Sequence, residues 1–307
     1  MTKVFIDGSA GTTGLRIYDR LAKRKDISLM TLSEEHRKDI NYRKEALNSS
    51  DISFLCLPDA AAVEAVSLIE NENTVVIDTS TAHRTNPEWA YGFPELSGLR
   101  EEIKNSKRIA NPGCHASGFI ALIRPLVEHG IVSADCELSA FSVTGYSGGG
   151  KKMIAEYEAD ELDELLTAPR MYGLSQMHKH LPEMVKTAKI KNAPVFCPVV
   201  SDFYSGMEVT VPLFASQING SVDDIKKIYS EYYSTEIVRY CGSADENGFL
   251  SAAALSGKDS MQLSVFGNDG RVTLCARYDN LGKGASGAAI QNMNIVLGVD
   301  ETTGLSL

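Results

Sequence analysis

The chain has 307 residues, 43% hydrophobic and 23% charged, the make-up of an ordinary globular protein of roughly two domains or one large α/β unit. A net charge of −10 and a pI near 5.2 argue against nucleic acid or an anionic membrane as the main partner, so any phosphate-bearing ligand must be held by a local site. No apolar run reaches the ~18 residues that a bilayer span requires.

From its first residues the chain reads as a buried strand, Lys3 to Asp7, with no room for a signal peptide. The strand runs into Gly8-Ser9-Ala10-Gly11-Thr12-Thr13-Gly14 and then a helix through Leu15, Ile17, Tyr18 and Leu21. Glycines so spaced permit a tight turn, close approach to a pyrophosphate and helix–strand packing, with phosphates on the helix N-terminus. The spacing is G-x-x-G-x-x-G rather than G-x-G-x-x-G, and its place between strand and helix carries the reading.

A second strand, Ile27 to Leu32, ends at Ser33-Glu34-Glu35-His36-Arg37-Lys38. Ser33, Arg37 and Lys38 favour NADP(H), whose 2′-phosphate seeks basic partners, while Glu34 leaves NAD(H) open. Strands at Ile52 to Leu57 and Val75 to Asp78 enclose a helix from Ala60 to Ile69, the alternation of a parallel sheet covered on both faces. Ligands of such sheets bind at the carboxyl ends of the strands, which places Leu57-Pro58-Asp59 and Thr79-Ser80-Thr81-Ala82-His83-Arg84 at the crevice. Arg84 there is either a cation for a substrate phosphate or a surface arginine paired with Glu88.

Asn111-Pro112-Gly113-Cys114 precedes Phe119, Leu122, Ile123 and Leu126 at helical spacing, so Cys114 is expected at a helix N-terminus. Half-ionising an ordinary thiol at neutral pH takes about 2 kcal/mol, and a partly buried helix end supplies up to ~2 kcal/mol of it. Cys114 is therefore the nucleophile candidate among six cysteines. With no Cys-x-x-Cys pair, the cysteines predict reduced thiols in the cytoplasm and neither a disulfide framework nor a metal site.

Cys136 to Thr144 reads as a strand leading into Gly145-Tyr146-Ser147-Gly148-Gly149-Gly150-Lys151-Lys152, either an anion-binding nest of backbone N–H groups or a flexible linker. Glu156 to Leu166 has an acidic, helical pattern. In His178-Lys179-His180-Leu181-Pro182-Glu183 the histidines cannot share a helix face, and either is a candidate acid–base partner for the thiol. Glu208 to Leu213, Met261 to Phe266 and Arg271 to Arg277 alternate as half-buried strands, the last two joined by the hairpin signal Asn268-Asp269-Gly270. Ser221 caps a helix through Tyr232, and the free face of this sheet is an expected dimerisation surface. Leu281 to Gly287 opens a buried helix expected to return to the first domain, with Asn292 a candidate cofactor contact.

These blocks, together with Tyr91-Gly92-Phe93-Pro94-Glu95-Leu96 and Gln291-Asn292-Met293-Asn294, resemble the N-acetyl-gamma-glutamyl-phosphate reductase family from end to end, in its shorter form. The resemblance implies an α/β Rossmann dinucleotide-binding domain (1–112 plus 285–307). It also implies an α+β catalytic and dimerisation domain (113–284) with a mixed, largely antiparallel sheet like that of glyceraldehyde-3-phosphate dehydrogenase. It puts the catalytic cysteine on Cys114, the histidine pair on His178 and His180, and the cofactor as NADP(H). Arg84, Ser147, Gly148, Gly149, Gly150 and Lys151 are then expected to hold the acyl-phosphate substrate, and a homodimer or homotetramer is expected. The chain departs from the family in carrying His115 where tyrosine or phenylalanine is usual and Ser117 where threonine is usual. Aspartate-semialdehyde dehydrogenase and a non-catalytic NADP-binding sensor are the alternatives.

Overall fold

β1 (Thr2–Asp7) shows how the first unit is built: Val4 and Ile6 point into one apolar cluster and Phe5 into another, so both faces of the sheet are covered. The structure, a computed structural model, describes residues 1–307. After β1 come α1 (Thr12–Leu21), β2 (Ile27–Met30), α2 (Ile40–Ser49), β3 (Ile52–Leu55), α3 (Asp59–Ser67) and β4 (Val75–Asp78). β5 (Ala90–Tyr91), α4 (Leu99–Asn105) and β6 (Arg108–Ala110) complete a parallel six-stranded sheet of order β2-β1-β3-β4-β6-β5.

The glycine turn after β1 is dictated by space. Gly8 has φ +87°, and a Cβ on it would lie 2.3 Å from the Cys56 carbonyl oxygen. A Cβ on Gly14 would lie 2.4 Å from the Gly8 oxygen, so α1 starts as close to the loop as backbone allows. Beneath the loop, Arg43 Nε donates to Asp7 at 3.0 Å and its Nη1 to Glu64 at 2.6 Å. Burial raises the Asp7 carboxyl while Arg43 pulls it back.

The second unit opens with α5 (Cys114–Glu128), followed by β7 (Ser139–Gly145), α6 (Gly150–Tyr157), β8 (Arg170–Met171), α7 (Leu181–Ala188) and β9 (Val195–Ser201). Then come β10 (Met207–Phe214), α8 (Val222–Tyr232), β11 (Val238–Tyr240), β12 (Met261–Asn268) and β13 (Arg271–Tyr278). Its seven strands run in the order β11-β12-β13-β10-β7-β9-β8. β11·β12 and β7·β9 are parallel and the other neighbours antiparallel. Asn268 pairs with Arg271 and accepts N–H bonds from Gly270 and Arg271, the expected two-residue hairpin. α8 starts on a capping box between Ser221 and Asp224.

α5 is buried along most of its length and carries Pro125 in its interior. Proline lacks the N–H that would reach the carbonyl of residue 121. The Tyr233 hydroxyl donates to the Ala121 oxygen at 2.8 Å instead, and the Tyr229 hydroxyl to the Leu122 oxygen at 2.5 Å. A single proline is thereby tolerated because α8 and the residue after it supply two phenols.

α9 (Gly287–Leu297) closes the chain and packs on α4 and β4 of the first unit. The compact units are Met1–Gly113 with Ala285–Leu305, and Cys114–Gly284 with Ser306–Leu307. Ser306 belongs to the second through paired bonds with Asp259. One expectation fails. The acidic stretch from Glu156 is not one helix: α6 ends at Tyr157, and only the short turn Glu164–Leu166 follows. Its carboxylates repel at helical spacing and its apolar residues make no continuous stripe. Of the two readings of the glycine run, the loose linker drops out, because Tyr146–Gly149 winds into a 3-10 turn that feeds α6.

Candidate active site

Cys114 is the first residue of α5, where the N–H groups of a first helical turn and the helix dipole favour an anion. The first turn is held by Tyr278, whose hydroxyl donates to the Cys114 oxygen at 2.5 Å and accepts from the Gly118 N–H at 3.0 Å. The chain after β13 presses on the same residue, for Gly284 backs directly onto Cys114. All six cysteines are free thiols. Burial pushes Cys56 and Cys275 up to about 12, so these two stay protonated.

A cavity of about 240 Å³ lies over Cys114, walled by His115, Tyr172, His178, Lys179, His180, Gly148 and Gly149 among others. The His178 and His180 rings are 4.7 Å apart, edge to face. His178 Nδ1 accepts the His180 N–H at 3.2 Å, which puts the proton of neutral His178 on Nε2. His180, at the N-cap of α7, is 5% exposed with Nε2 4.0 Å from Glu183. Both histidines thus reach the space over the thiol from an irregular segment, where the helix-face restriction does not apply.

Of the residues expected to hold substrate, Gly148 and Gly149 line this cavity, and Lys151 is exposed on α6 and does not. Ser147 is buried and its hydroxyl accepts from the Asn280 amide at 3.1 Å. Gly150, at φ +75°, begins α6. Lys179, which sequence reading passed over, is a cavity cation. Arg84, in the first unit, is not a surface arginine on Glu88. It is 8% exposed, donating from Nε to the Asn111 oxygen at 2.9 Å and from Nη2 to the Thr79 oxygen at 3.0 Å.

In the first unit a second cavity, about 180 Å³, brings Gly8 and Ser9 of the glycine turn together with Arg37 and Lys38. Arg37 pairs with Glu34 at 3.0 Å, and the Ser33 hydroxyl lies 3.1 Å from His36 Nδ1. Gly11, Thr12 and Thr13 continue the turn into α1, and the Thr12 hydroxyl is buried with no partner. Pro58 stands at the N-cap of α3. Ser80 is buried, donating to Asp78 at 2.7 Å and accepting from the Ala82 N–H, which builds the turn after β4. Asn292 is fully buried; its amide donates to the Gly92 oxygen and to Asn111, and its Oδ1 has no donor. The site carries no grouping of side chains able to hold a metal ion.

His115 follows Cys114 on α5, where neighbouring side chains diverge, so contact with the thiol itself is not expected. Its ring lies 5.6 Å from those of both His178 and His180, and it walls the same cavity.

Two family models match the chain. The semialdehyde dehydrogenase NAD binding domain covers residues 3–106, and the semialdehyde dehydrogenase dimerisation domain covers 114–280. Among curated proteins it is 47% identical over 306 residues to an N-acetyl-gamma-glutamyl-phosphate reductase of Brucella anthropi, covering 96% of this chain and 98% of that one. It is 46% identical to the protein of the same name from Brucella ovis, over 96% and 99% of the two chains. Among solved structures, aspartate semialdehyde dehydrogenase II of Vibrio cholerae superposes with a TM-score of 0.73 at 16% identity, over 97% and 98% of the two chains. The aspartate semialdehyde dehydrogenase of Francisella tularensis does so at 0.73 and 17%, over 97% and 100%. These structural likenesses concern the fold.

Proposed function

This chain belongs to the N-acetyl-gamma-glutamyl-phosphate reductase family, and on that premise we propose that it reduces N-acetyl-gamma-glutamyl phosphate to N-acetylglutamate semialdehyde through a thioester on Cys114. The observation that carries the reading is a thiol outside any disulfide at a helix N-terminus, sharing one cavity with two histidines. Attack of the thiolate on the acyl carbon forms the S–C bond and breaks the C–O bond to phosphate, which leaves. NADPH, which the glycine turn with Arg37 and Lys38 would hold, would supply the hydride for the thioester carbonyl. The His178–His180 pair supplies the proton for the resulting oxygen and removes it as the C–S bond breaks and the aldehyde leaves. The backbone at Gly148 and Gly149, with Lys179, holds the anionic groups of the substrate.

For the cofactor, the residues present fit. The glycine turn offers N–H groups and the unpartnered Thr12 hydroxyl to a pyrophosphate, while Arg37 and Lys38 across the same cavity suit a 2′-phosphate. That pairing favours NADP(H) over NAD(H). The unsatisfied Asn292 Oδ1 keeps that residue as a cofactor contact.

The chain matches a dimerisation domain, and we place a second copy on the outer face of the seven-stranded sheet. α5 and α8 cover the other face. On the outer one Phe141, Val195 and Phe214 are 48%, 58% and 64% exposed. A homodimer, or a homotetramer built from it, buries them. No helix is long and apolar enough to cross a membrane, and free thiols throughout fit a cytoplasmic enzyme.

The deciding assay runs the reaction backwards. With phosphate and NADP⁺, N-acetylglutamate semialdehyde supports reduction of the cofactor and aspartate semialdehyde does not. Turnover of the second substrate alone would overturn the assignment.

A further inference from the structure

Three side chains beside the nucleophile form a hydrogen-bonded chain that the reaction above does not use. His115 is 3% exposed. Its Nδ1 lies 2.7 Å from the Ser142 hydroxyl and its Nε2 2.6 Å from the Tyr172 hydroxyl. Burial, then the neighbouring His178, lower the His115 pKa to about 3, so the ring is neutral, with one donor nitrogen and one acceptor nitrogen.

The direction of the chain follows from Ser142. This serine is fully buried on β7, and His115 is its hydroxyl's one partner. A buried O–H left without an acceptor is costly, so Ser142 donates to Nδ1. The ring proton is then on Nε2 and points at the Tyr172 oxygen. With that oxygen already accepting, the Tyr172 proton must go elsewhere, and Tyr172 walls the cavity over Cys114.

We propose that His115 is a positioning residue that turns the Tyr172 O–H into the reaction cavity, where it donates to the substrate carbonyl oxygen as Cys114 attacks. That oxygen gains negative charge as the S–C bond forms, and a pre-set donor is worth most there. Burial, and then the charge of Cys114, hold the Tyr172 phenol above its ordinary range, so it keeps its proton while donating. The proposal rests on the reading that Cys114 attacks an acyl phosphate.

The test compares His115→Leu, His115→Gln, Tyr172→Phe and the His115→Leu/Tyr172→Phe double variant in the full chain, with N-acetylglutamate semialdehyde, phosphate and NADP⁺. His115→Leu and Tyr172→Phe each lower kcat by about tenfold or more, with KM for NADP⁺ unchanged. The double variant falls no further than the worse single one, because both remove the same donor. His115→Gln places an amide near the Nε2 position and regains most of the loss. Should His115→Leu fail to fold, Ser142→Ala frees the ring from its other side and gives the same readout. A full-rate His115→Leu, single losses that multiply in the double variant, or a glutamine variant as slow as the leucine one would each overturn the proposal. The underlying reading fails separately, if the wild-type chain shows no phosphate-dependent turnover at all.

Discussion

A Cβ on Gly284 would lie 3.1 Å from the Cβ of Cys114 and 3.1 Å from the Asp279 carbonyl oxygen. The segment leaving β13 therefore sets the position of the nucleophile by contact, and only glycine fits without displacing it. Gly284→Ala is expected to cost about 1–3 kcal/mol of stability and to lower kcat by about tenfold through a small displacement of the sulfur. Chemical denaturation and steady-state rates on the same preparation check this; an unchanged kcat would show that the thiol's position is set elsewhere.

Arg37 and Lys38 share a cavity with Gly8 and Ser9. Replacing both with alanine should raise KM for NADPH by about tenfold, the worth of a charge-assisted contact, while kcat holds. Oxidation of NADH should change little. Equal losses for both cofactors would show that these side chains do not read the 2′-phosphate.

The His115 ring imposes a pH dependence on folding. Its folded pKa of about 3 lies below the 6.5 of an ordinary histidine. Between these values the unfolded chain binds a proton that the folded chain does not, so stability falls as pH drops from 6.5 towards 3. The slope from this group approaches about 1.4 kcal/mol per pH unit. His115→Gln should flatten the dependence of unfolding free energy on pH between 4 and 6 by one proton; an unaltered slope would mean the ring is protonated in the folded state.

What could be read from the sequence was backbone geometry. Gly8 and Gly14, Pro112-Gly113 before Cys114, and Asn268-Asp269-Gly270 each announce a turn through their own conformational limits. Pairings made by folding gave no such signal. His115 and Tyr172 are 57 positions apart, and local helix geometry says only that His115 and Cys114 diverge, not which partners the His115 ring meets. The Asp7–Arg43–Glu64 cluster beneath the glycine turn and the Tyr278 hydroxyl on the first turn of α5 were equally invisible. Arg84 was read as a choice between surface pairing and phosphate binding, and its burial with bonds to the Asn111 and Thr79 carbonyls excludes the first.

In the proposed reaction the Cys114 sulfur carries the acyl group. Mixing the protein with N-acetyl-gamma-glutamyl phosphate in the absence of NADPH, quenching in acid and weighing the peptides tests it directly. One N-acetylglutamyl group is expected on the peptide containing Cys114 and none in Cys114→Ser. An active enzyme that forms no such adduct, or forms it on another residue, would contradict it.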